Sequence, residues 1–260
     1  MIRRLAVVFA LAGAVSTAAP AAAQGPPVEI LTRYAFHLNA EHLSESDPRF
    51  VWDANFGGEL DLIDYGVGRL TFVANYQTIL GEQFRPFDPN QGNYILAGSA
   101  SARAGGVEVA GVFYHQSRHL SDRVKRQPVD WNMAGGRVAG GLTSGRLQVE
   151  GRADLRGVVQ KSLVDYRWEL DTEARSRVAL RASGSGRLAL IAAGGVRVLG
   201  VDGSRGRGTQ NGFRGEAGVR VEGSGAAVEL FVAAERRIDP YPLEFSTESW
   251  VTAGFRLLSR

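Results

Sequence analysis

The amino-acid sequence predicts an all-β protein, a twelve-stranded antiparallel up-and-down transmembrane β-barrel. Three observations support this prediction: many segments alternate apolar and polar residues, short and long connections separate them in turn, and glycine is abundant. Glycine accounts for 33 of the 260 residues, and 44% of the residues are hydrophobic against 22% charged. This composition is too apolar for a disordered chain, and abundant glycine without a fixed period argues against both long helices and collagen.

Twelve segments carry the alternating pattern, and each is long enough for a tilted membrane strand of roughly 9–11 residues. In residues 145–160 the odd positions are apolar or small, and the even positions are polar up to Arg156. Period two over this length predicts a strand with one apolar face, whereas an amphipathic helix needs apolar residues three and four apart. The predicted strands are residues 28–38, 50–62, 67–79, 93–104, 106–116, 131–141, 145–160, 165–181, 187–199, 211–222, 225–236 and 248–258.

The connections between these strands predict a barrel with two different ends. Tight connections such as Gly105 and Gly223–Ser224 alternate with mostly longer ones such as 39–49, 80–92, 117–130 and 200–210. An even number of strands with short turns at one end and long loops at the other is typical of outer-membrane barrels. Both chain termini then lie on the periplasmic side.

The two faces of the strands also fit a membrane barrel better than a soluble sandwich or soluble barrel. The polar face carries both signs of charge on neighbouring strands, which predicts a lumen braced by arginine–carboxylate pairs. A small soluble barrel would carry all of this charge on its outside, which does not fit so regular an alternation of apolar and polar residues. On the apolar face, aromatic residues near strand ends predict interface girdles, at Tyr34, Phe36, Trp52, Tyr76, Tyr94, Tyr166, Trp168 and Phe213.

The beginning of the chain predicts export. Arg3 and Arg4 form a basic start, Leu5–Val15 is apolar, and Ala21–Ala23 supplies a small-residue cleavage pattern before Gln24. The apolar stretch is short for a membrane-spanning helix and ends before Pro20. We therefore expect a cleaved signal peptide over residues 1–23, a barrel domain over residues 24–260, and a location in the bacterial outer membrane.

Charge and cysteine content exclude several classes of function. The formal net charge is +3, and removal of Arg3 and Arg4 with the signal peptide leaves about +1, too balanced for a dedicated nucleic-acid binder. The absence of cysteine excludes disulfides, thiolate metal sites and cysteine nucleophiles. No cofactor is evident from the residues. The expected partners are outer-membrane lipids, including lipopolysaccharide, and the barrel-assembly machinery during insertion.

A candidate catalytic group lies at the outer end of the fifth predicted strand. Alternation places Val109 and Phe113 on the lipid-facing side, and His115 and Ser117 continue this face. Asn132 lies on the lipid face of the next strand, so pairing across the loop would bring the three side chains together. A serine beside a histidine that a third polar group orients is an activated nucleophile. Asparagine can be that third group because its carbonyl oxygen accepts an imidazole N–H.

The motif His115-Gln116-Ser117, followed by Trp131-Asn132, resembles bacterial outer-membrane phospholipase A. The resemblance implies a twelve-stranded barrel with Ser117 as nucleophile, His115 as base and Asn132 as orienting residue on the lipid-facing surface. It also implies calcium, whose ligands have no evident counterparts in this sequence, so that the metal site stays unknown.

A longer stretch resembles a second family, an uncharacterised group of bacterial outer-membrane barrels. The shared features are Tyr114-His115-Gln116-Ser117-Arg118-His119-Leu120-Ser121-Asp122 and the upstream Asp64-Tyr65-Gly66-Val67-Gly68. This resemblance implies the barrel without an established activity, and His115 and His119 would then make hydrogen bonds at the base of a loop or contact lipopolysaccharide. A basic cluster in the same loop either contacts lipid phosphates or is simply solvated, and it comprises Arg118, Arg123, Lys125 and Arg126.

The sequence leaves two functions open. The first is a hydrolase that cleaves acyl esters of outer-leaflet lipids, similar to a phospholipase A or a lipid A deacylase, through Ser117, His115 and Asn132. The alternative is a non-enzymatic barrel, either a narrow, porin-like channel or a structural protein of the outer membrane.

Overall fold

A computed structural model describes residues 27–121, 127–183 and 186–259, and in it the chain forms a closed antiparallel β-barrel of twelve strands. Each strand pairs with its sequence neighbours, and β1 pairs with β12 to close the barrel, which confirms the predicted fold class. The predicted signal peptide lies outside the described residues. No helix among the described residues is long and apolar enough to cross a membrane. The strands are β1 (Glu29–Leu43), β2 (Trp52–Asp64), β3 (Arg69–Gly81), β4 (Asp88–Ala104), β5 (Val107–His119), β6 (Val129–Ser144), β7 (Leu147–Ser162), β8 (Tyr166–Ser183), β9 (Gly186–Val201), β10 (Gln210–Glu222), β11 (Ala226–Ile238) and β12 (Thr247–Ser259).

All twelve predicted strands are present, and several continue further than predicted at the end away from the termini, which we call the outer end. β4 begins at Asp88 rather than at residue 93, and β5 continues to His119. The strands extend because backbone hydrogen bonds between neighbours do not require an apolar face. The connections predicted as 80–92 and 117–130 are shorter for this reason.

The two faces of each strand have opposite character, as the alternation predicted. Leu155 is 59% exposed on the outside of the barrel, whereas the adjacent Asp154 is fully buried in the lumen. The exposed apolar residues form a belt around the barrel that suits contact with lipid chains. They include Phe72, Leu96, Val109, Phe113, Val138, Leu190, Val196, Leu230, Val232, Val251 and Phe255.

The structure corrects the prediction that Tyr166 belongs to an outer aromatic girdle. The pairing of β8 with β9 shifts register between Tyr166 and Trp168, which changes the face to which Tyr166 points. Its ring is buried and meets Trp131 edge-on with centroids 5.0 Å apart. Its hydroxyl donates a hydrogen bond to Asp239 Oδ2 over 2.8 Å. Tyr166 is therefore part of the barrel interior.

Arginine–carboxylate pairs in the lumen join adjacent strands and also strands that are further apart. Glu229 on β11 accepts hydrogen bonds from three guanidinium groups: Arg256 at 2.6 Å, Arg220 at 2.9 Å and Arg175 at 3.1 Å. Arg214 on β10 reaches Glu41 on β1 at 3.0 Å. Because each of these guanidinium groups contacts carboxylates on different strands, the pairs tie together the part of the wall that runs from β8 through β12 to β1.

The segment 239–246, which we call the cap segment, folds over the outer end of the lumen. Arg118 donates hydrogen bonds to the backbone oxygens of Asp239 and Pro240, at 2.7 and 2.9 Å. Arg207 pairs with the Asp239 carboxylate at 2.7 Å, and its hydrogen bonds to Asp165 and Asp239 raise its pKa above the ordinary value. The cap segment is therefore fixed by charged side chains from β5 and from the loop between β9 and β10.

Apolar packing closes the same end of the barrel. One buried cluster includes Trp131, Met133 and Leu199, and a second is built around Leu43 and Trp250. Beneath the cap segment a cavity of about 690 Å³ is lined largely by charged and polar side chains. The described residues thus form a barrel with a polar interior and a covered outer end.

Because the belt faces lipid, a charged residue on the outer face should destabilise the barrel more strongly the nearer it lies to the middle of the membrane. Leu155→Arg places a guanidinium near the middle of β7 and should lower the free energy of unfolding by about 2–4 kcal/mol, because the lipid core cannot solvate it. Leu147→Arg, on the same face but at the end of the strand, is the matched control and should cost at most about 1 kcal/mol. Urea unfolding in lipid vesicles, followed by tryptophan fluorescence, measures both values. Equal costs would contradict the assignment of the membrane belt.

Candidate active site

Seven polar side chains form a continuous patch on the outer surface of β5, β6 and β7. On β5 they share the face of the exposed Val109 and Phe113, whereas the intervening Val112 and Arg118 are buried. We call this patch the polar window, and its members are His115, Ser117, His119, Asp130, Asn132, Gln160 and Ser162.

The strand register shows how deep the polar window lies. Phe56, Tyr76, Tyr94 and Ser117 are paired in one row across β2 to β5, and the ring centroids of the three aromatic residues are 5.4 and 4.8 Å apart. Aromatic rings of this kind lie at the boundary between lipid chains and head groups. Ser117 is therefore the neighbour of Tyr94 in this row. It occupies the place where the aromatic row ends.

The next row lies nearer the middle of the membrane. It contains Leu96, which is 44% exposed, followed by His115, Asn132 and Gln160. Polar groups that face lipid are costly unless they are hydrogen-bonded, and apolar residues usually occupy such positions. Three neighbouring polar side chains are thus an exception on an otherwise apolar lipid-facing surface.

His115 and Asn132 are brought together as the sequence predicted. They are direct partners in the ladder, and His115 Nδ1 lies 2.7 Å from Asn132 Oδ1. Since an amide oxygen only accepts hydrogen bonds, Nδ1 carries the proton and Nε2 of the neutral ring keeps its lone pair. That nitrogen is available to take a proton from another group.

Ser117 is close to a different histidine from the one that the sequence suggested. Its Oγ lies 3.2 Å from His119 Nε2, and the His119 ring meets Tyr94 edge-on with centroids 5.2 Å apart. Within the described part of the chain, no hydrogen bond joins Ser117 to His115. The serine thus lies between two imidazoles on one strand face, with His119 as its present contact. The repeat of polar residues at 115, 117 and 119 was the available signal for His119.

Gln160 and Asp130 complete the hydrogen bonds of the polar window. Asn132 Nδ2 donates to Gln160 Oε1 at 2.5 Å, and Gln160 Nε2 donates to Asp130 Oδ1 at 3.2 Å. Strict alternation from Leu155 would turn Gln160 into the lumen. Instead, the register of β6 with β7 shifts beside Asn132, so that Gln160 stands opposite Asn132. Sequence periodicity does not reveal this shift.

Of the four basic residues predicted to contact lipid phosphates, the structure describes Arg118. Arg118 is buried on the lumen side, where it holds the cap segment, because alternation places it on the face opposite Ser117 and His119. This position separates Arg118 from the lipid phosphates outside the barrel. Arg123, Lys125 and Arg126 lie outside the described residues.

No known protein-family model matches the chain, and a comparison with curated proteins gives no match. Solved structures do resemble it. LpxR from Salmonella typhimurium superposes with a TM-score of 0.51 at 10% sequence identity, over 86% of this chain and 99% of that chain. Outer membrane phospholipase A from Escherichia coli gives a TM-score of 0.50 at 12% identity, over 89% of this chain and 98% of that chain. The chain has the outer-membrane β-barrel fold.

A third solved structure shares this fold. It is the Salmonella typhi outer membrane phospholipase dimer with bound calcium, with a TM-score of 0.50, 12% identity and coverage of 87% of this chain and 90% of that chain. In this protein, the described residues contain no group of three or more His, Asp or Glu side chains that could hold a metal ion. Asp130, the carboxylate of the polar window, is engaged by Gln160. The described residues therefore show no side-chain group that fits a calcium site.

Proposed function

We propose that this protein is an outer-membrane hydrolase that cleaves acyl esters of outer-leaflet lipids, with Ser117 as nucleophile, His115 as base and Asn132 as orienting residue. One observation carries the proposal: the Ser117 hydroxyl lies between two imidazoles on the lipid-facing surface, and Asn132 fixes the tautomer of one of them. A channel or a purely structural barrel has no need of this arrangement.

The proposed reaction requires a small rearrangement of Ser117. The Cβ atoms of residues two apart on a strand are about 7 Å from each other, so a rotation of the Ser117 and His115 side chains can bring Oγ to Nε2. Oγ then attacks the ester carbonyl carbon while its proton passes to His115 Nε2. When the tetrahedral intermediate collapses, the ester C–O bond breaks and the same proton goes to the leaving alcohol. Water, deprotonated in turn by His115, releases the fatty acid and restores Ser117.

The depth of the polar window supports a lipid substrate. Ser117 pairs with Tyr94, an aromatic residue of the kind that marks the boundary of the lipid chains, and the ester groups of membrane lipids lie near this boundary. A substrate diffusing within the bilayer would meet Ser117 from the side, without leaving the membrane. Glycerophospholipids and lipopolysaccharide both carry acyl esters at this level, so either is a candidate substrate. Insertion by the barrel-assembly machinery and removal of a signal peptide also belong to this proposal.

The closed outer end argues against the alternative of a narrow channel. The cap segment and the two apolar clusters cover the lumen, and arginine–carboxylate pairs cross it below. The cavity of about 690 Å³ lies on the opposite side of the barrel wall from Ser117. The residues proposed for catalysis therefore lie on the outer surface of the barrel and not in the lumen.

A direct test uses the purified, refolded barrel in detergent. A fluorophosphonate probe should label Ser117, and mixed micelles of phosphatidylethanolamine or of lipid A should release fatty acid in at least one case. Each assay is run with calcium and with a chelator, because the phospholipase neighbour binds that ion. If neither lipid is cleaved under either condition and the probe does not react, the protein is not the hydrolase proposed.

A further inference from the structure

Four polar side chains on three neighbouring strands form one hydrogen-bond chain. It runs from Asp130 through Gln160 and Asn132 to His115, with distances of 3.2, 2.5 and 2.7 Å. Asp130 and Asn132 are on β6, Gln160 is on β7 and His115 is on β5. The chain therefore crosses the outer surface sideways and connects a carboxylate to an imidazole.

The carboxylate fixes the direction of every bond in this chain. An ionised carboxylate only accepts hydrogen bonds, so the amide nitrogen of Gln160 must face Asp130. The Gln160 oxygen then faces Asn132 and accepts a hydrogen bond from its amide nitrogen. Consequently the Asn132 oxygen faces His115 and accepts a hydrogen bond from Nδ1–H. The result at the far end is an Nε2 with a free lone pair.

Without this constraint, Asn132 has two nearly equivalent orientations. A turn of its amide by 180° would present the nitrogen to His115, which would then accept at Nδ1 and carry its proton at Nε2. In that tautomer His115 cannot take a proton through Nε2. An aspartate would present an oxygen in either orientation because its two oxygens are equivalent. An asparagine exchanges its donor and its acceptor when the amide turns.

We infer that Gln160 and Asp130 are positioning residues, which hold Asn132 in the orientation that leaves His115 Nε2 unprotonated. The effect on the tautomer follows from the hydrogen-bond chain, whereas the effect on hydrolysis depends on the proposed function. Both residues act through Asn132 and need not touch the substrate.

Nitrogen NMR of the ¹⁵N-histidine-labelled barrel in detergent micelles tests the tautomer without any assay of activity. At alkaline pH, where the ring is neutral, wild-type His115 should show the Nδ1–H form. Gln160→Leu removes the acceptor of Asn132 but suits a lipid-facing position, so the barrel should fold and His115 should show a mixture of tautomers. His37 is an internal control because its Nε2 contacts Asn55 Oδ1 at 2.8 Å in the lumen. It should keep the Nε2–H form in both proteins.

Exchanging the amide and the carboxylate between positions 160 and 130 keeps the total charge and should restore the hydrogen-bond chain. In Gln160→Glu alone, repulsion from the Asp130 carboxylate should push the new carboxylate away from Asn132, so that the His115 tautomer is disturbed as in Gln160→Leu. In the double variant Gln160→Glu with Asp130→Asn, the new asparagine donates to the new glutamate, which still accepts from Asn132. This variant should restore the wild-type His115 signal, because the direction of the chain is unchanged.

The same variants are then compared in fatty-acid release. Gln160→Leu should lower kcat roughly 10- to 100-fold, as the loss of a group that orients a functional side chain does elsewhere, with KM little changed. The double variant should recover most of the activity. A His115 signal that is identical in wild type and Gln160→Leu would overturn the inference, even if the enzyme is active. A wild-type protein without activity but with the expected tautomer change would instead refute only the proposed function.

Discussion

Ser117→Ala should abolish fatty-acid release while leaving the barrel folded. Loss of the nucleophile in a serine–histidine system removes nearly all of the acceleration, typically about 10⁴-fold or more in kcat. The substitution deletes one oxygen at an outward-facing position, so it should not disturb packing. Release of fatty acid from phospholipid or lipid A micelles measures the loss, and the shift in gel mobility on heating confirms that the barrel has formed.

The control is another outward-facing serine on a strand outside the polar window. The hydroxyl of Ser176 on β8 contacts the backbone oxygen of Ala192 at 3.3 Å, so Ser176→Ala should keep wild-type activity. If Ser117→Ala retains wild-type fatty-acid release, Ser117 is not the nucleophile.

Substitution of each of the two histidines beside Ser117 shows which of them is the base. If His115 is the base, His115→Ala should be as inactive as Ser117→Ala, and Asn132→Ala should be milder because an orienting residue contributes less. His119→Ala should then reduce activity by a smaller factor, through loss of its contact with Ser117 Oγ. The opposite result, with His119→Ala inactive and His115→Ala active, would transfer the role of base to His119.

Most of the fold was predictable because the face of a strand residue is a local property. Period-two alternation assigned Leu155 to the outside and Asp154 to the lumen, and the structure confirms both. The same rule placed His115, Ser117 and Asn132 on one outer face. By the same rule Arg118, which lies between Ser117 and His119, faces the lumen.

The errors occur where the register between strands shifts. Tyr166 turned inward, and Gln160 turned outward, beside irregularities in the pairing of β8 with β9 and of β6 with β7. A shift depends on the neighbouring strand and leaves no trace in the periodicity of its own segment. The contact of Ser117 with His119 depends on side-chain rotamers, which periodicity does not determine either. The fold was therefore more predictable than the details of the site.

Glu229→Leu should strongly destabilise the barrel. The Glu229 side chain is 1% exposed and accepts hydrogen bonds from Arg175, Arg220 and Arg256. Its removal leaves an excess of positive charge among these arginines, although Arg175 and Arg256 keep Glu216 and Arg220 keeps Glu222 as partners. Loss of one partner from a buried charge cluster costs about 3–5 kcal/mol. Urea unfolding in vesicles gives the difference in the free energy of unfolding. Glu173→Leu is the control, since this lumen-facing carboxylate is 40% exposed and pairs with Arg152, and it should cost about 1 kcal/mol or less.

A second substitution separates charge imbalance from simple loss of contacts. Arg220 contacts Glu229 at 2.9 Å and Glu222 at 3.2 Å, so Arg220→Leu in the Glu229→Leu background removes one of the three guanidinium groups that lost Glu229. If repulsion between the guanidinium groups causes the instability, the double variant should be more stable than Glu229→Leu alone. If the two substitutions instead add their separate costs, the lumen is held by individual contacts. The three arginines around Glu229 then do not act as one cluster.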